Sequence, residues 1–115
     1  THGSISYAIL CEIDSNNIDA SLICISKINK DSIKSLVQII SNLNEKSNIL
    51  TIEEHYQIGG LYEALASELL PLNLKHNFSN MNLKHQYVFE IYEQKELLKK
   101  SGLDPALITK YFSGK

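Results

Sequence analysis

Arginine is missing altogether: every one of the eleven basic residues is a lysine. No fork-shaped guanidinium is present to grip a phosphate or carboxylate at two points. Thirteen acidic residues outnumber the lysines and leave a formal net charge of -2. That balance argues against a nucleic-acid binder, which needs a basic face to displace phosphate counterions. Tryptophan is absent, and the two cysteines, Cys11 and Cys24, are too few for a disulfide framework. One lies in a helical pattern and the other in an apolar run, so both are expected as unpaired, buried small hydrophobes, pointing to the cytoplasm. No apolar run approaches the ~20 residues of a membrane span. Thr1 to Ser15 carries Glu12 and Asp14 and does not read as a signal peptide. The phosphate-loop pattern, the spaced dinucleotide glycines and the Gly-x-Ser-x-Gly elbow are all absent. His2, His76 and His85 lack zinc-ligand spacing.

What is present suits one globular domain. The chain has 115 residues, 43% hydrophobic and 21% charged, which is enough to bury a real core. Ile5, Ala8, Ile9 and Ile13 share a helical face, predicting a helix over Ser4 to Ile13 that Asn16 and Asn17 end. Leu22 to Ile25 reads as a short strand covered on both faces. Asp31 is the expected N-cap of a helix carrying Ile33, Leu36, Val37, Ile40 and Leu43. Ile49 to Ile52 is a second buried strand. Gly59 and Gly60 open a third helix, with Leu61, Ala64, Leu65 and Leu69 on its apolar face and Pro71 near its end.

Further on, Met81 and Leu83 alternate with Asn80 and Asn82, as in a half-exposed edge strand. Tyr87 to Tyr92 is ambiguous between strand and loop. Glu93 to Ser101 reads as a helix, Gly102 as its C-terminal cap, and Asp104-Pro105 as the start of a last helix reaching about Phe112. Strands alternating with helices predict an α/β fold with a mostly parallel sheet between two helix layers.

The densest chemical cluster is Glu53, Glu54 and His55, followed by Gly59 and Gly60. It falls where a buried strand ends and a helix begins, the edge at which open parallel sheets bind ligands. The glycines would let a backbone approach closely, and the helix N-terminus would offer N–H groups to an anion. The alternative is a plain tight turn. His55 beside two carboxylates is a candidate general base, or a hydrogen-bonded structural histidine. The aromatic C-terminal part, Tyr87, Phe89, Tyr92, Tyr111 and Phe112, reads as core or interface rather than a base-stacking platform. No complete catalytic set emerges.

The run Ile49-Leu50-Thr51-Ile52-Glu53-Glu54-His55, then Gly59-Gly60-Leu61, then Glu63-Ala64-Leu65-Ala66, resembles the C-terminal domain of transketolase. Thr1 to Ala8, with His2 inserted, is similar to that family's Thr-Gly-Ser turn and first helix. Lys27 to Leu36 lies where the family has a strand exit, an aspartate and a helix. Asp31 matches, while Lys30 stands where proline is usual. Glu96-Leu97-Leu98, Gly102-Leu103-Asp104 and Ile108 resemble the closing two helices. Deoxyxylulose-phosphate synthase and the beta subunits of two-oxoacid dehydrogenases share the domain.

The resemblance implies a three-layer α/β/α sandwich and a non-catalytic, dimer-supporting domain of a larger cytoplasmic enzyme. The parent would move a two-carbon ketol unit between sugar phosphates. Its thiamine diphosphate and divalent metal would be held by other domains, which with a second copy would be the partners. No cofactor and no catalytic residue is carried onto this chain. Glu53, Glu54, His55, Gly59 and Gly60 are expected as an anion, effector or interdomain site. In the family a middle strand precedes the first helix, and an antiparallel strand precedes that. Both are expected to be missing here, leaving a gap for another segment or chain to fill unless the remaining strands close up. A stand-alone effector- or protein-binding module of the same fold, and a small enzyme using His55 with Glu53 or Glu54, are the competing readings.

Overall fold

Apolar residues at offsets of three and four set the helices, and the element boundaries follow the available caps. The computed structural model describes residues 1–44, 46–56, 58–84 and 94–112. Helix α1 (Ser6–Ser15) buries Ile9 directly behind the buried Ile5. Asn17, with φ at 49°, turns the chain out of it. Helix α2 (Lys30–Ser41) buries Ile33, Leu36 and Ile40 on one stripe. Its N-cap is Asn29, whose Oδ1 accepts from Ser32 N–H at 2.9 Å. The expected cap, Asp31, lies instead in the first turn, where its charge complements the helix dipole.

Strand β1 (Asn48–Ile52), helix α3 (Leu61–Leu69) and strand β2 (Asn77–Met81) form a β–α–β unit. The strands pair in parallel, with Ile49 opposite Phe78 and Ile52 opposite Met81. Pro71 sits in a 3-10 turn after α3, where its missing N–H breaks no helical bond. Strand β2 starts earlier than the asparagine alternation suggests and stops at Met81. Tyr87 to Tyr92 lies outside the described residues.

Helix α4 (Gln94–Lys100) closes through Gly102, which has φ at 96°. Leu103 N–H bonds back to Leu98 C=O at 2.8 Å, and Gly102 N–H to Lys99 C=O at 3.2 Å. These are the paired bonds of a Schellman cap. Asp104 Oδ1 accepts from Ala106 N–H at 3.1 Å and starts a 3-10 turn at Pro105. That turn runs into helix α5 (Ile108–Phe112).

The architecture is α/β, with helices packed around a small two-stranded parallel sheet. Side chains alternate along β1. Leu50 and Ile52 join Ile5, Ile9, Met81, Leu103 and Ile108 in one apolar cluster, while Ile49 joins Ile33, Leu36, Ile40, Leu61 and Leu65 in the other. Burying such a side chain contributes about 1.5–3 kcal/mol, so both clusters hold the sheet in place.

Two further expectations are corrected. Leu22 to Ile25 forms no strand; it contributes a single parallel bridge, Ile25 to His2. A strand needs a ladder along its length, and among the described residues this segment bridges only at Ile25. Behind Thr1 a cavity of about 450 Å³ separates this segment from β1. The cysteines are also exposed rather than buried, and neither is bridged. Cys11 lies on the outer side of α1, and Cys24 belongs to the segment that fails to join the sheet.

Candidate functional site

Helices need acceptors for their first N–H groups, and two helices here begin at residues that supply none. Gly60 at the start of α3 has no side chain, and Ile5 at the start of α1 has an apolar one. The acceptors come from the end of β1. Glu53 is fully buried, and its Oε1 and Oε2 accept from Leu61 N–H and Tyr62 N–H, each at 2.8 Å. Glu54 points the other way, as the next strand residue must. Its Oε1 accepts from Ser4 Oγ–H at 2.7 Å and from Ile5 N–H.

The glycines fit this arrangement for separate reasons. Gly59 has φ at 75°, a conformation that penalises any Cβ. Gly60 is extended, but a Cβ there would overlap Glu53 Oε1 and stand 2.9 Å from Tyr56 C=O. Glu63 in the first turn of α3 accepts from Gly59 N–H at 3.1 Å and closes the turn. The α3 amides that the sequence offers to an anion therefore already hold Glu53.

His55 takes a different course. Its side chain is exposed, and Nδ1–H donates to Tyr56 C=O at 2.6 Å. That leaves Nε2 as the basic atom of the ring. Its own C=O accepts from Leu83 N–H at 3.0 Å, tying the strand exit to the chain after β2. The structure thus gathers all five residues at one sheet end. It commits Glu53, Glu54 and Gly60 to backbone geometry and presents His55 and Gly59 outward. Tyr56 and Ile58 are exposed beside them, Ile58 to 82%.

Sequence reasoning missed the helix partners Ser4, Ile5, Leu61 and Tyr62. A usable signal was present: a helix starting at glycine or isoleucine requires an acceptor from elsewhere. It also missed a hollow of about 290 Å³ between α3 and β2, beside Tyr62 and Phe78, whose rings stack at 4.8 Å. His76 lines it, with a buried Nδ1 that has no hydrogen-bond partner among the described residues. No helix among the described residues is long and apolar enough to cross a membrane. Comparison with protein-family models, with curated proteins and with solved structures finds no match to this chain.

Proposed function

We propose that the chain is the non-catalytic C-terminal domain of a transketolase-like, thiamine diphosphate-dependent enzyme, built as a three-layer α/β/α unit. The observation that carries this reading is the double use of the Glu53-Glu54 pair. Both carboxylates accept from backbone amides at helix starts, so the densest polar cluster is occupied with scaffolding. A diphosphate at the α3 N-terminus would have to displace Glu53 from the Leu61 and Tyr62 amides, so the residues present there do not fit the cofactor. No catalytic step is derived through it on this chain. Thiamine diphosphate and its metal belong to the other domains of the parent in this reading.

The exposed Tyr56 and Ile58 beside the Gly59-Gly60 turn offer apolar surface to those domains or to the second copy of a dimer. The parent would transfer a two-carbon ketol unit between sugar phosphates. Thiamine diphosphate supplies the carbanion-stabilising chemistry when bound. The test is an immunoblot of source-cell lysate with antibody raised against this chain. The reading expects a band several times larger than 13.0 kDa, and that polypeptide should show ketol transfer from a ketose phosphate to an aldose phosphate. A band near 13.0 kDa overturns it in favour of a stand-alone binding module. A large polypeptide without turnover overturns the transketolase assignment.

A further inference from the structure

The hollow between α3 and β2 has a cause in the sequence. Tyr62, Ala66 and Leu69 follow one another along α3 at offsets of four and three, and all three line it. Ala66 is the small member of that stripe. Across from it, Ile49 and Phe78 stand opposite each other in the β1–β2 ladder and form the floor. A single methyl group in the middle of the stripe leaves about 290 Å³ open over the sheet.

Its walls are preset. The Tyr62 and Phe78 rings stack on each other at 4.8 Å between centroids and 22° between planes, which joins them as one wall. Asn73, with φ at 51°, ends the 3-10 turn and donates its N–H to Leu70 C=O at 3.3 Å. Leu70 and Leu74 line the hollow and are exposed as well, Leu70 to 82%, so they form an apolar rim. The chemistry of the lining is narrow. Among the described residues it includes no lysine, aspartate or glutamate. A phosphate or sugar phosphate would meet no counter-charge there. An apolar ring would instead replace water against leucine, isoleucine and phenylalanine side chains.

His76 is the polar exception. Its half-buried ring lines the hollow. Its Nδ1 is buried without a hydrogen-bond partner among the described residues, although buried polar atoms ordinarily have one. A neutral imidazole carries one N–H. With no acceptor beside Nδ1, the tautomer that avoids an unpaired buried donor places the proton on Nε2.

We propose that this hollow binds a neutral bicyclic aromatic molecule carrying one oxygen acceptor, which takes a hydrogen bond from His76 Nε2–H. Volume selects the bicycle: a cavity of about 150 Å³ admits a benzene ring, and this one is roughly twice as large. The missing counter-charge selects a neutral molecule, and the His76 donor selects the acceptor. Asn73 and Tyr62 add only neutral polar groups to the lining. The inference does not rest on the transketolase reading, and its test involves no turnover.

The experiment titrates indanone into the full chain and follows the backbone amide resonances. Indane, the same bicycle without the oxygen, is titrated alongside. Indanone is expected to shift the Ala66, His76 and Phe78 amides saturably, and indane to bind the same place about fivefold or more weakly. Ala66→Leu fills the hollow from the helix side with another good helix former and should abolish binding of both probes. His76→Phe keeps an aromatic ring without the donor and should bring indanone down to the affinity of indane. Urea unfolding midpoints show that each variant is folded. Shifts that fail to saturate, or that fall elsewhere on the chain, overturn the site. Undiminished binding to folded Ala66→Leu overturns it too. Equal affinities of the two probes for the unaltered chain overturn the hydrogen bond from His76, a result that depends on no variant.

Discussion

Glu53 and Glu54 are consecutive in the chain, yet their carboxylates hold the N-termini of two different helices, α3 and α1. Strand geometry makes this division: neighbouring side chains leave β1 on opposite faces, and one helix start waits on each. The short stretch from Ile52 to Glu54 thereby joins both apolar clusters. Helices α1 and α3 begin at residues without a side-chain acceptor, whereas α2 and the turn before α5 carry their own caps in Asn29 and Asp104.

The two carboxylates should differ in weight. Glu53 is fully buried and accepts two amide bonds, while Glu54 is half-buried and also within reach of water. Glu53→Gln turns one acceptor into a donor facing an N–H, a loss of about 2–4 kcal/mol, because bonds to a charged group contribute more than neutral ones and a buried mismatch leaves the amide unpaired. Glu54→Gln should cost about 1 kcal/mol, since its partners keep an oxygen acceptor. Urea unfolding midpoints measure both, and an equal or larger loss for Glu54→Gln would refute the assignment.

Gly59 and Gly60 should fail for different reasons when replaced. Gly59→Ala has open space around the new methyl group but a left-handed backbone, so the cost is about 1–2 kcal/mol. Gly60→Ala places its methyl group on Glu53 Oε1 and should cost more. The discriminating measurement is a double-mutant cycle. In a Glu53→Ala background most of the Gly60→Ala penalty should vanish, leaving the contact with Tyr56 C=O. Additive effects would mean that the two residues do not share the space described.

Much of the helical layout was legible because it depends on local rules. The isoleucine stripes of α1 and α2, the Gly102 cap and the Asp104-Pro105 start each act within a few residues. Two failures came from non-local causes. Leu22 to Ile25 has the composition of a buried strand, but a strand needs a partner along its length, and composition does not reveal that among the described residues the segment bridges only at Ile25 to His2. Cys24 was misplaced with it. The cluster at Glu53 to Gly60 was legible as a place but not as a role: its residues were found, whereas the contacts of Glu54 with Ser4 and Ile5 span about fifty residues of sequence.

The exposed cysteines give a direct chemical check. Cys11 and Cys24 are both unbridged and exposed, so the folded chain should titrate two thiols with a water-soluble disulfide reagent. Buried thiols would react only on unfolding. A native count below two that rises to two in denaturant would restore the buried reading for at least one of them.

In the 115-residue polypeptide taken by itself, the Thr1 amino group makes stability depend on pH with a definite sign. Burial lowers its pKa in the folded chain below 8.0, with Cys24 and Glu53 opposing. Between the lowered value and 8.0 the unfolded chain binds more protons than the folded one, so stability from this group rises as pH rises through that window and levels off above it. Below the folded value the full cost of the buried ammonium remains. Acetylating Thr1 removes the charge but keeps an N–H for Ile23 C=O. The acetylated chain should therefore unfold at higher urea concentration below pH 8 and lose this part of the pH slope. An unchanged slope would mean that the amino group is solvated and does not sit in the ladder between Ile23 and Ile52.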